Sequence, residues 1–167
     1  MRNQSARKEN WRRLLDSAKL QDLAAKTGGQ TTKFRNSTVL TIGADRLKEA
    51  CQLIAIELPE FYHLSTITGV DDGTTISLYY HFWQGKDFLS VKTAIPKTNT
   101  VIPSLIDILP AALLYEAEVK DMLGVVFQGN PLMDRRLLLP DEYPLEAPPP
   151  LRKEADPEKI RKMMELE

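Results

Sequence analysis

The sequence predicts an α+β fold, in which helices cover an antiparallel meander sheet and an extended proline-rich C-terminal strap leads to a short terminal helix. Three observations support this prediction. Segments of alternating polarity follow one another between residues 61 and 95, with turn residues between them. Apolar residues recur at helical spacing in residues 45–57 and 111–123. Most of the 11 prolines follow residue 128.

Residues 1–30 are predicted to form an N-terminal arm and a short helix. The first 13 residues are polar and basic, which is typical of a frayed arm. Leu15, Leu20 and Leu23 then support a helix over residues 14–26, and Gly28-Gly29 ends it. The glycine pair lacks the lysine and the other glycines of a phosphate loop.

Residues 31–127 are predicted to form the core domain. Residues 38–42 have the alternation of a strand. A helix is predicted over residues 45–57, because its apolar residues share one face and Pro59 ends it. Cys51 lies on that face and is predicted to be a small core residue.

The next three strands are predicted to pair in series. The first covers residues 61–71 and ends at Asp72-Gly73, a pair that strongly favours a hairpin turn. Residues 74–83 alternate, so one face of this strand is predicted to be apolar, and residues 88–95 return with the same pattern. The apolar face of the middle strand consists of Ile76, Leu78, Tyr80 and Phe82.

A short helical segment ending at Pro110, with Ser104 as its N-cap, is predicted before the helix at residues 111–123. Gly124 is a plausible end for that helix, because glycine adopts the left-handed conformation without strain. Residues 128–167 are predicted to be an extended docking strap and helix, and Asp156-Pro157 marks the start of the helix.

Charged residues on both sides of a turn at residues 128–131 predict a docking surface, residues 111–153. Glu118 and Asp121 share one face of the helix, where salt bridges to Arg135, Arg136 or a partner's arginine are expected. Glu116 is spaced to pair with Lys120 on another face. The residues predicted to bind a partner are Glu116, Glu118, Asp121, Arg135, Arg136, Arg152 and Lys153.

Bulk properties and missing motifs exclude several functions. The formal net charge of −1 implies no nucleic-acid partner, and the single cysteine excludes an internal disulfide or a cysteine-ligated cluster held by this chain alone. No apolar run reaches the length of a membrane span, and the N-terminus lacks a secretion signal, so the cytoplasm is expected. Nucleotide-binding and nucleophile motifs are absent. One alternative is a free-standing enzyme that uses Glu116, Glu118 and Asp121.

Linked motifs resemble the 30 kDa subunit family of respiratory complex I and its homologues in membrane-bound NiFe hydrogenases. The family pattern E-R-E-x-x-D-M-F-G-I corresponds to Glu116-Ala117-Glu118 and then Asp121-Met122-Leu123-Gly124-Val125. The double arginine follows, and Pro150-Leu151-Arg152-Lys153 matches the closing P-L-R-K. Ala117 stands in the place of the family's central arginine, and Asn130 in that of a histidine, so the local charge network must differ.

The resemblance implies a subunit without a cofactor of its own. Such subunits sit peripherally on the cytoplasmic side of the membrane and bind the large catalytic subunit and the iron–sulfur small subunit. Residues 138–144 look more like the hydrogenase branch, in which partner subunits carry NiFe and iron–sulfur clusters and ferredoxin-linked hydrogen evolution is coupled to ion translocation. The alternative is the equivalent subunit of an NADH/quinone oxidoreductase or of a related quinone- or sulfur-reducing complex.

Overall fold

The computed structural model of the protein describes residues 17–35, 37–59, 63–84 and 87–164. A 3₁₀ turn at Ala44–Arg46 leads directly into the second helix. The helices and strands of the described residues are α1 (Ser17–Thr27), β1 (Gln30–Phe34), β2 (Ser37–Thr41), α2 (Leu47–Glu57), β3 (Leu64–Asp71), β4 (Thr75–Gln84), β5 (Asp87–Pro96), β6 (Val101–Pro103), α3 (Ala112–Leu123), β7 (Val126–Gln128) and α4 (Pro157–Met163).

The predicted α+β class is confirmed. Five strands form one sheet in the order β1-β2-β5-β4-β3, so the three strands predicted in series are neighbours. β1 was not predicted; it pairs antiparallel with β2. The parallel pairing of β2 with β5 was also not predicted, because the partners lie far apart in sequence. The predictions for the N-terminal arm and for the start of the first helix fall on residues 1–16, which lie outside the described residues.

The segment after β5 differs from its prediction. Residues 101–103 form a strand, β6, in which Ile102 pairs with Phe127 of β7 in parallel. Turns follow at residues 106–108, where a helical segment was expected. The β-branched pair Val101-Ile102 favours a strand, and Pro103 at its end has no N–H to contribute to a ladder.

The chain divides into two compact units. Of the described residues, the first unit contains 17–35, 37–59, 63–65, 80–84 and 87–93, and the second contains 66–79 and 94–164. In the first unit, α2 buries one apolar face, as predicted. Cys51 is 1% exposed, which confirms it as a core residue, and burial raises the pKa of its thiol to about 12.

The predicted alternation in the sheet is confirmed. The four residues on the apolar face of β4 are each 0% exposed, and Leu89, Val91 and Thr93 of β5 are equally inaccessible. In the second unit, α3 ends as predicted, because Gly124 takes a left-handed conformation with φ +67°. The strap, residues 128–156, then runs through a series of turns to α4, where Asp156 caps the first turn and Pro157 follows.

Candidate docking surface

α3 turns two of its acidic side chains inward and one outward. Glu116 and Asp121 are buried on the same helix, whereas Glu118 is exposed. Spacing separates Glu118 from Glu116, which is two residues away, but it does not separate Glu118 from Asp121, which is three residues away on the face they were predicted to share. The strap covers Asp121 and leaves Glu118 exposed. Glu118 is therefore available to a partner, while Glu116 and Asp121 are committed to contacts inside the second unit.

Glu116 holds two loops against the start of α3. Its Oε2 accepts hydrogen bonds from Ser104 Oγ at 2.6 Å and from Asn130 Nδ2 at 2.9 Å, and its Oε1 accepts one from the Leu105 N–H at 2.8 Å. Asn130 also donates to the Leu113 carbonyl oxygen and accepts from the Leu132 N–H. These contacts join the loop after β6, the helix and the start of the strap.

The Glu116 cluster corrects one sequence prediction. Glu116 does not pair with Lys120; the Lys120 ammonium lies 3.1 Å from Asp121 instead and also donates to the Arg135 carbonyl oxygen. Burial raises the pKa of Glu116, and its three hydrogen bonds offset only part of that effect. The helical spacing was compatible with an ion pair, but loops distant in sequence supplied closer partners.

Asp121 binds the backbone of the middle of the strap. Its Oδ2 accepts the backbone N–H groups of Leu137, Leu138 and Leu139, at 2.7, 2.8 and 3.2 Å. Burial acts to raise its pKa, but these N–H groups and Lys120 outweigh burial and hold the pKa below its usual range. Asp121 therefore binds the backbone after the double arginine; the salt bridge expected with either arginine is not formed.

Arg136 organises the next part of the strap. Its guanidinium donates to the carbonyl oxygens of Pro140, Asp141 and Tyr143, at distances between 2.7 and 2.9 Å. The buried Tyr143 donates its hydroxyl proton to the Pro148 carbonyl oxygen at 2.6 Å. An arginine with three carbonyl partners fixes a turn that contains no regular secondary structure.

The end of the strap is fastened to the end of α3. The Leu151 N–H donates to the Met122 carbonyl oxygen at 2.9 Å, and Arg152 Nε donates to the Leu123 carbonyl oxygen at 2.5 Å. The last carbonyls of a helix lack partners within the helix, and a basic side chain is favourable there. Arg152 is thus used as a helix cap inside the second unit.

Asp71 is a structural residue that the sequence prediction missed. At the end of β3, its carboxylate accepts from Lys97 Nζ at 2.7 Å, from the Lys153 N–H at 2.9 Å and from the Gly73 N–H at 2.8 Å. Burial acts to raise its pKa, but these donors prevail and hold the pKa well below its usual range. Lys97 also lies 2.6 Å from Glu154.

Three of the predicted partner-binding residues remain on the surface. Glu118, Arg135 and Lys153 are exposed, and none of them forms a salt bridge with another described residue. The strap also exposes Leu137, Leu138, Leu145 and Leu151, and the side chain of Leu145 is 90% accessible. The seven residues thus divide into those that shape the surface and those that can touch another molecule.

The described residues contain no group of three or more His, Cys, Asp or Glu side chains that could hold a metal ion. His81 lies with its Nδ1 2.8 Å from Ser90 Oγ, and burial lowers its pKa. Across the same ranges, every helix is too short or too polar to cross a bilayer.

Known proteins share this sequence pattern and this architecture. One subunit of the NADH-quinone oxidoreductase of Roseiflexus castenholzii is 27% identical over 119 residues, which are 68% of each protein. A subunit of the NADH-quinone oxidoreductase of Methylococcus capsulatus is 33% identical over 138 residues, but the match spans only 23% of that longer protein. A component of the membrane-bound sulfane sulfur reductase, an archaeal respiratory membrane complex, superposes with a TM-score of 0.77 and 26% identity.

The superposition on the sulfane sulfur reductase component covers 90% of this protein and 91% of the other. The family described as the 30 kDa subunit of respiratory-chain NADH dehydrogenase matches residues 40–161, which run from β2 through the strap into α4. The match includes α3, both arginines and the closing Arg152-Lys153 from which the resemblance was inferred. The protein therefore belongs to the family of the 30 kDa subunit of respiratory-chain NADH dehydrogenase.

Proposed function

We propose that this protein is an accessory subunit of a membrane-bound, energy-converting oxidoreductase and that it binds the large catalytic subunit through its docking surface. The observation that carries the proposal is the strap. Asp121, Arg136 and Asp71 bind its backbone, the Arg152 side chain fastens it to the end of α3, and four of its six leucines are exposed. A surface that is already ordered loses less conformational entropy when it binds a partner.

The charge arrangement supports a partner made of protein. Exposed side chains of both signs, Glu118, Arg135 and Lys153, lie in the same segment as the exposed leucines. Protein interfaces combine apolar contacts with a polar rim, whereas nucleic-acid interfaces are strongly basic. The formal net charge of −1 fits the first description.

The assembly we propose is of the NiFe hydrogenase type, with this protein in the peripheral arm on the cytoplasmic side. Residues 138–144 suggested this branch, and the large subunit would then hold the NiFe centre and the small subunit iron–sulfur clusters. This protein would supply no cofactor. Its role is to stabilise the large subunit within the complex.

A second candidate is the equivalent subunit of a quinone- or sulfur-reducing complex. Two comparisons favour it. The curated relatives are named as subunits of NADH-quinone oxidoreductases, and the structural relative that spans nearly the whole sequence belongs to a sulfane sulfur reductase. The partners' cofactors would distinguish the two candidates.

The test is purification of the native complex through an affinity tag on this protein, in a mild detergent, followed by metal and flavin analysis. The hydrogenase candidate predicts nickel with iron, and hydrogen evolution from reduced ferredoxin. Iron with flavin but without nickel would assign the quinone-reductase candidate. Iron with neither would assign a flavin-free quinone- or sulfur-reducing relative.

An untagged strain is the control for proteins that bind the resin. Recovery of the tagged protein alone from membranes and from cytosol, with no second protein and no metal, would overturn the accessory-subunit proposal. Recovery of a complex without a large catalytic subunit would overturn the assigned binding partner.

A further inference from the structure

The second unit contains a groove that the contacts of the strap do not fill. It lies between the β3 segment at residues 66–69 and the side of α3 that packs on this strand, and its volume is about 160 Å³. Buried side chains line its apolar part, among them Ile67, Val119 and Leu123. Thr66 and Thr68 of β3 also line it.

Gly69 sets the depth of this groove. A Cβ at that position would collide with the Leu123 side chain and would lie 3.5 Å from Val119 Cγ1. α3 therefore packs directly on the backbone of β3 at Gly69. Leu151 of the strap, 59% exposed, completes the lining.

Among the described residues, Glu118 is the only ionisable side chain that lines the groove. Within the same ranges, its carboxylate forms no ion pair or hydrogen bond. Glu116 and Asp121 of the same helix are each bound by three or more donors. The groove thus offers one carboxylate without a partner, next to apolar walls and threonine hydroxyls.

We propose that the groove receives an arginine side chain of the subunit that the docking surface binds; this inference rests on the proposed function. The three methylene groups of an arginine would lie along Ile67, Val119 and Leu123, and its guanidinium would meet Glu118. A guanidinium can donate two parallel hydrogen bonds to one carboxylate, and Thr66 or Thr68 can accept a further one.

The size and charge of the groove favour this occupant over a purely apolar one. Its volume of about 160 Å³ is several times the roughly 30 Å³ that one water occupies in the liquid, so an extended side chain fits. An apolar side chain would remove water from the Glu118 carboxylate without replacing the lost hydrogen bonds, which is unfavourable. A partner carboxylate would be repelled.

The test is competition for the native complex between variant and wild-type copies of this protein expressed together. Mass spectrometry measures their ratio in the membrane-bound complex. A hydrogen bond between two charged groups is stronger than one to a neutral amide. We therefore expect Glu118→Gln to be incorporated about tenfold less than the wild type, and Glu118→Lys less still. Asp45→Asn, at an exposed carboxylate of the first unit that lies outside both the docking surface and the groove, is the matched control and should compete equally.

A second variant tests the groove without changing Glu118. Thr68→Arg, at an exposed position of β3, places a guanidinium of this protein's own inside the groove and should exclude the partner's arginine. It is expected to lose incorporation to a similar extent while its melting temperature stays close to that of the wild type. If either Glu118→Lys or Thr68→Arg were incorporated as well as the wild type, the inference would be overturned.

Photo-crosslinking identifies the occupant. A photoreactive amino acid placed at position 68 in the tagged protein should crosslink to an arginine-containing segment of the large subunit. A crosslink to a second copy of this protein, to another segment of the same copy, or to a partner segment without arginine would overturn the inference while leaving the proposed function standing. If the tagged wild-type protein recovered no partner at all, both the inference and the proposed function would be overturned.

Discussion

Asp71 and Glu116 are both buried carboxyl groups, but their surroundings shift their pKa values in opposite directions. Asp71 accepts from an ammonium group and two backbone N–H groups, which outweigh burial. Glu116 accepts hydrogen bonds from two neutral side chains and one backbone N–H, and burial, which raises its pKa, outweighs them. The Lys97 ammonium group contributes most to lowering the pKa of Asp71, whereas the donors to Glu116 include no cation; charge-assisted hydrogen bonds are roughly twice as strong as neutral ones.

Replacing Asp71 with Asn is expected to destabilise the protein at neutral pH. The pKa of Asp71 is lower in the folded than in the unfolded protein, so its contribution is fully present above about pH 4 and is lost as the pH falls below that value. The difference in unfolding free energy between Asp71→Asn and the wild type should therefore be constant above about pH 5 and shrink in acid. Urea unfolding from pH 2.5 to pH 7 measures it.

Glu154→Gln is the matched control, because Glu154 shares Lys97 with Asp71 but lies on the surface. It should leave both the stability and its pH dependence nearly unchanged. If the difference in unfolding free energy between Asp71→Asn and the wild type did not shrink in acid, the charge of Asp71 would not be the cause of that difference.

Glu116→Gln should show the opposite pH dependence. Because the folded pKa is raised, the contribution of Glu116 is fully present below about pH 4 and declines as the pH rises toward the folded pKa. The variant also brings an amide N–H₂ against either the Leu105 N–H or the N–H₂ of Asn130, depending on which oxygen it replaces, at a cost of about 1–3 kcal/mol. The loss of unfolding free energy in Glu116→Gln should be largest in acid and smaller at pH 7. Glu118→Gln should show neither the loss nor its pH dependence.

At the scale of the elements, Gly28 and Gly124 provide a matched pair. Both end a helix with almost the same backbone angle, φ +66° and +67°. A Cβ at Gly28 would meet nothing within 4 Å, whereas one at Gly124 would lie 2.9 Å from Pro149 Cγ in the strap. Alanine therefore adds about 1–2 kcal/mol of backbone strain at each site, and an additional steric cost only at Gly124.

Gly124→Ala should accordingly be less stable than Gly28→Ala by about 1–3 kcal/mol, the usual cost of overpacking. Urea denaturation of the two variants and the wild type gives this difference. Equal losses would mean that Pro149 does not stay against the end of α3 in solution.

The sequence predicted those elements whose pattern lies within their own residues, and missed those that depend on pairing with another part of the protein. The periodicity of α2, β4 and α3, and the turn residues Asp72-Gly73 and Gly124, are local and were read correctly. Four of the five residues of β1 are polar, so this strand carries no apolar alternation. Its place in the sheet comes from pairing with β2, which periodicity does not report.

The candidate surface was predicted only in part, for the same reason. The sequence identified Asp121, Arg136 and Arg152, but their partners are backbone groups, most of them in a segment without regular structure. Asp71 binds Lys153 across 82 positions of sequence, and no spacing rule connects the two. Charge alone could not separate the residues that build the surface from Glu118, Arg135 and Lys153, which lie exposed on it.

At the scale of the whole molecule, adjacent arginines should affect assembly by different routes. The side chain of Arg135 is exposed, whereas that of Arg136 binds three carbonyl oxygens of the strap. Arg135→Glu should weaken assembly most at low salt, where exposed charges are least screened, and leave the isolated protein unchanged. Arg136→Glu should weaken assembly at all salt concentrations, because it releases the turn that orders the strap.

Limited proteolysis of the isolated variants separates these routes. Cleavage between residues 137 and 148 should be faster in Arg136→Glu than in the wild type, and unchanged in Arg135→Glu, while both variants melt near the wild-type temperature. If Arg136→Glu were cleaved faster but assembled fully at physiological salt, the order of the strap would not matter for binding. If it were neither cleaved faster nor impaired in assembly, Arg136 would have no part in the docking surface, and binding would have to rest on Glu118, Arg135 and the exposed leucines.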